Sequence, residues 1–61
     1  MHPILKRIER HLRVTGEYPS RFGRLAINDP RLVTDLKKGR MPGAATIARL
    51  EAFIRAQETG A

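Results

Sequence analysis

The run FGRLAINDPRLVTDLKKGRMP, residues 22–42, reads as two short helices parted by a stop-and-restart signal at Asn28-Asp29-Pro30. Proline disfavours the helical region for the residue before it, so Asp29 is held extended, as a helix N-cap must be. Pro30 suits a first helical position, where its missing N–H costs nothing. Beyond it Leu32, Val33 and Leu36 supply an apolar face, Lys37 and Lys38 sit in a last turn where the helix dipole favours cations, and Gly39 is a stop. The spacing predicts a helix over 30–38, then a loop at Arg40-Met41-Pro42-Gly43.

Upstream, Ser20 is placed to cap a helix over 20–26 whose Phe22, Leu25 and Ala26 face inward. Gly23 inside so short a helix costs about 1 kcal/mol relative to alanine, which implies that another backbone passes close by. TGEYP (15–19) is a loop by composition. Before it, Ile4, Leu5, Ile8 and Leu12 recur at helical spacing between Pro3 and Gly16, a helix over 3–14. After residue 43, Ile47, Leu50, Phe53 and Ile54 mark a fourth helix over 44–57, whose apolar face serves either the core or a dimer surface. The fold class is all-α: a compact four-helix bundle, one domain over 1–61, containing a helix-turn-helix.

The chain has 61 residues, and a domain of that size buries only about 60% of the surface its unfolded form exposes. There is no room for a catalytic domain with a lid, or for a second folded unit. With 41% hydrophobic and 30% charged residues, the sequence is too apolar for a disordered basic tail. It has no cysteine, which excludes disulfides and thiolate metal sites, and no apolar run able to span a bilayer or to act as a signal peptide. A cytoplasmic protein stabilised by helix packing is the expectation.

The charge is polarised. Residues 1–40 carry ten of the twelve Lys and Arg but four of the six Asp and Glu, so the entire net +6 lies there, and residues 41–61 are neutral. Such a distribution implies a polyanion partner, nucleic acid or an anionic surface, better than it implies a solubility device. Lys6, Arg10 and Arg13 share the outer face of helix one, either as solvated surface or as backbone-phosphate contacts.

The middle of the chain resembles the lambda-repressor-like (Cro-type, XRE-type) helix-turn-helix family of bacteria and phages. Phe22 and Gly23 take that pattern's apolar and small positions, Asp29 its cap, Val33 and Leu36 its two anchors. Lys38-Gly39-Arg40-Met41-Pro42 matches the common Gly-Arg/Lys-x-Pro exit. With the flanking helices, the resemblance covers nearly the whole chain. Two departures stand out: Gly23 replaces the usual alanine, and Ile27 falls where the turn glycine with positive φ is usual. A β-branched residue is strained there, so either Asn28 takes the unusual dihedrals or helix two extends by a residue.

The resemblance implies that helix three enters the major groove of double-stranded DNA, N-terminal end first. Arg31, Thr34, Asp35 and Lys38 then leave its groove-facing side. Arg31 can hold guanine O6 and N7 with two parallel hydrogen bonds, and Thr34 can meet a thymine methyl or a phosphate. Asp35 either accepts from cytosine N4 or, as favoured by its spacing, orients Arg31 four residues back. Asp29 serves as a cap. Phosphate contacts are expected from Ser20, with the amides at the start of helix two, and from Arg21, Arg24, Lys37, Lys38 and Arg40. Half-sites in this family imply a homodimer or a hetero-partner protein, with subunits about 34–36 Å apart along the duplex. The expected role is a small transcriptional regulator.

Other chemistry is sparse. His2 and His11 are the only histidines and have no third ligand beside them, so no metal is expected; His11, next to Leu12, reads as a boundary residue. No nucleophile–base pattern, phosphate-binding loop or carboxylate pair appears, so neither an enzyme, a cofactor nor a small-molecule ligand is expected. Tyr18 and the two phenylalanines are too scattered for an RNA-stacking platform. A membrane-surface role fits poorly, because helix one lacks interfacial aromatics. The alternative is an antitoxin-like or adaptor protein-interaction module whose basic face binds an acidic partner.

Overall fold

The computed structural model describes residues 3–59, among which four helices and no strand occur. These are α1 (Pro3–Thr15), α2 (Pro19–Ile27), α3 (Leu32–Lys37) and α4 (Ala44–Thr59). The all-α, four-helix expectation is met, with boundaries shifted by a residue or two.

The start of α2 corrects one reading. Pro19 is the first helical residue and Tyr18 occupies the cap in an extended conformation (φ −76°, ψ 141°). Proline's fixed φ sets the helix going, so Ser20 already lies inside the first turn and its hydroxyl caps nothing. At the other end both expectations for the turn hold together. The helix extends through Ile27, and Asn28 takes the left-handed conformation (φ 57°, ψ 38°), which a short polar side chain tolerates better than isoleucine.

Helix α3 is shorter than the 30–38 expected. The Asp29 side chain accepts from the Arg31 N–H at 3.0 Å and its carbonyl from the Leu32 N–H at 3.2 Å, so Pro30 and Arg31 form a turn ahead of the helix. Asp29 therefore satisfies entering amides, as a cap would, but from two residues before the N-cap position, which Arg31 occupies. The helix ends with Gly39 at φ 106°, where the Gly39 N–H meets Leu36 O and the Arg40 N–H meets Asp35 O. This paired bonding is a Schellman closure.

The core draws on all four helices: Ile4, Leu5 and Ile8; Phe22 and Ala26; Leu32, Val33 and Leu36; Leu50 and Ile54. Helices α1 and α2 each pack on both α3 and α4, and Leu12, Ile27 and Phe53 close the edges. Phe22 lies at the centre, its ring 5.5 Å from those of His11 and Phe53. Two expectations fail here. Leu25 is 53% exposed rather than inward, because helix α2 turns only Phe22, Gly23 and Ala26 to the core. His11 is 5% exposed rather than at the boundary. It lies seven residues after Ile4, on the same stripe, and packs its ring against Phe22.

Gly23 shows why α2 and α3 approach closely. A methyl group there would collide with the Asp29 carbonyl oxygen and sit 3.1 Å from Leu32 Cβ. The Asp29 N–H donates to Gly23 O at 3.0 Å, so the chain leaving α2 folds directly back over this position. The backbone passage inferred from the glycine is present, and it is the turn itself.

Candidate nucleic-acid interface

The buried face of α3 sets the direction of its outer one. Leu32, Val33 and Leu36 are buried, while Arg31, Thr34 and Lys38 are exposed and Asp35 is half-buried. At spacings of three and four residues these four fall on one side of the helix, opposite the core. The arrangement agrees with the grouping read from the spacing alone.

Ser20, Arg21 and Arg24 come together along one side of α2. With Leu25 and Pro30 they line a cleft of about 280 Å³ between the start of that helix and the turn. All three are exposed. Arg21 Nε lies 3.5 Å from Glu17 one helical turn back, a solvent-screened pair. Lys37 Nζ stands 3.9 Å from Glu9 and links α3 to α1 at the far end.

Two roles change. Asp35, expected to orient Arg31, instead has its Oδ2 3.5 Å from Arg40 Nη1. Arg40, expected on phosphate, is already engaged: the same Nη1 is 2.7 Å from Asp29 Oδ2. The Schellman closure reverses the chain after α3 and carries the Arg40 side chain back toward the turn that precedes the helix. The Arg40 hydrogen bond, followed by the Arg31 amide, holds the Asp29 carboxyl below its usual value, and Asp29 in turn raises the Arg40 guanidinium. The cluster is not legible in the sequence because its end members, Asp29 and Arg40, are eleven residues apart and no local periodicity connects them.

Among the described residues, Arg24, Arg31 and Lys38 make no ion pair, in contrast to Arg21, Lys37 and Arg40. The free cations of this region thus lie along the outer side of α2, the turn and α3. Lys6, Arg10 and Arg13 on α1 are likewise exposed and, among the described residues, without an ion pair. A larger groove of about 560 Å³ between α1 and α4 is lined by Arg7, Arg10, His11 and Ile54, among others, and its Arg7 is bonded to Glu51 at 3.0 Å. It is not continuous with the polar side of α3.

Among the described residues no three His, Asp or Glu side chains are grouped so as to hold a metal ion. His2 lies outside the described residues. No described helix is long and apolar enough to cross a membrane. No protein-family model, curated protein or solved structure matches the chain.

Proposed function

We propose that the chain binds double-stranded DNA sequence-specifically, as a small transcriptional regulator of the lambda-repressor-like helix-turn-helix kind. Helix α3 lies in the major groove and presents Arg31, Thr34 and Lys38 to base edges. Ser20, Arg21 and Arg24 flank it on the backbone, and Lys37 contacts phosphate or stays with Glu9. The observation that carries this reading is the exposure of Arg31, Thr34 and Lys38 on one side of a helix whose other side is core, beside the cleft formed by Ser20, Arg21 and Arg24. The polarised charge supports it, since the net +6 lies wholly in residues 1–40. The reading implies a dimer or a hetero-partner on paired half-sites, action in the bacterial cytoplasm, and binding rather than catalysis.

Fluorescence anisotropy with random-sequence duplex at about 50 and about 200 mM salt tests it. Several phosphate contacts predict an affinity loss of orders of magnitude between the two conditions. Absent or salt-insensitive duplex binding would sink the reading and favour an acidic protein partner for the same face.

A further inference from the structure

We propose that Arg40 is a positioning residue for base reading: it holds α3 in place by clamping a carboxylate of the turn before the helix, Asp29, and one within it, Asp35. The inference rests on the reading of α3 as the DNA-contacting helix. Its physical basis is the shortness of that helix, six residues, when isolated helices under about 12–15 residues are marginal in water. The first helical turn receives no side-chain cap from Arg31 at its N-cap position. Its entry is held by Asp29, whose Oδ1 accepts from the Arg31 N–H at 3.0 Å. The other carboxylate oxygen, Oδ2, accepts from Arg40 at 2.7 Å. Arg40 is also bound at the exit, through its backbone N–H to Asp35 O at 2.9 Å and through Nη1 near Asp35 Oδ2 at 3.5 Å. One guanidinium thus joins the turn before α3, at Asp29, to Asp35 within α3 and spans the segment bearing Arg31, Thr34 and Lys38.

The clamp has an electrostatic consequence as well. Asp29 and Asp35 are the only acids in residues 20–40, and both would repel a phosphate backbone. Holding both against one cation quiets the surface without spending Arg24, Arg31 or Lys38. Arg40 therefore acts through the helix, and the phosphate contact expected of it from the sequence is not its role.

The test uses the whole chain, a duplex obtained by selection from a random pool, and random duplex as competitor. The quantity read is the ratio of the two affinities, which is insensitive to the fraction of protein folded, together with the slope of log affinity against log salt. Arg40→Gln and Asp29→Ala should each lower the ratio about fivefold, with the salt slope unchanged within error. Arg40→Lys, which keeps a cation beside both carboxylates, should recover most of the loss. A direct phosphate contact predicts the opposite pattern for Arg40→Gln: a slope reduced by about 1 and an intact ratio. That result overturns the inference, as does an unchanged ratio in Asp29→Ala, where a purely electrostatic role predicts tighter binding to both duplexes. Wild-type protein that binds no duplex at low salt overturns the DNA reading itself, and this inference with it.

Discussion

Arg40 Nη1 lies 2.7 Å from Asp29 Oδ2, so the segment that follows α3 is tied to the turn that precedes it. The Arg40 hydrogen bond, with help from the Arg31 amide, keeps the Asp29 carboxyl below its ordinary value of 3.8. A carboxylate depressed in the folded state adds stability above its unfolded pKa and loses it as pH falls through the folded value. Acidification from about pH 6 to about pH 2.5 should therefore lower the melting temperature of the wild type more than that of Asp29→Asn, which has no proton to take up. Equal acid losses in the two proteins would show that the pair does not stabilise the fold.

The approach of the turn to α2 leads to a second expectation, for Gly23. Alanine favours a helix interior by about 1 kcal/mol over glycine. At this position the added methyl meets the Asp29 carbonyl oxygen, which belongs to the backbone and cannot rotate aside. Overpacking of this sort typically costs about 1–3 kcal/mol, so the steric effect outweighs the propensity gain. Urea unfolding should place Gly23→Ala below the wild type. A midpoint equal to or above that of the wild type would mean that the turn gives way freely.

The legible parts of the molecule were those encoded by local chemistry. Pro3, Gly16, Gly39 and the alternation of Leu32, Val33 and Leu36 located the helices because caps and periodicity act over a few residues. The same reasoning grouped Arg31, Thr34 and Lys38, since a helix with one buried face has its opposite face determined. Ser20 is not the cap because Pro19, a residue favoured at a first helical position, starts the helix ahead of it. His11 reads as a boundary residue from its place next to Leu12, although the position seven after Ile4 belongs to the buried stripe. The Asp29–Arg40–Asp35 cluster was beyond such rules, because it depends on how the exit of α3 folds back.

Asn28 is the sole described non-glycine residue with positive φ, and it terminates α2. A left-handed conformation costs an ordinary L-residue about 1–2 kcal/mol, and a β-branched one more. Asn28→Val should therefore lower stability by at least about 1 kcal/mol, while Asn28→Gly should stay within about 0.5 kcal/mol of the wild type. Chemical denaturation of the three proteins measures both differences. A harmless valine would show that the turn has another conformation available to it.

The two kinds of DNA contact proposed for this chain would separate by their dependence on sequence and salt. Arg31 stands at the entry of α3 without an ion pair, where its guanidinium can address two acceptors of a guanine. Arg24 lines the cleft on α2, where a duplex seated on α3 would bring its backbone. Arg31→Ala should therefore cost about 1–3 kcal/mol on the selected duplex and relax preference at one base position. Arg24→Ala should weaken every duplex alike and reduce the salt slope by about 1. Competition titrations against base-substituted duplexes at two salt concentrations distinguish the two effects. If Arg31→Ala leaves the preference intact, α3 is not the reading helix, whatever its overall contribution to affinity.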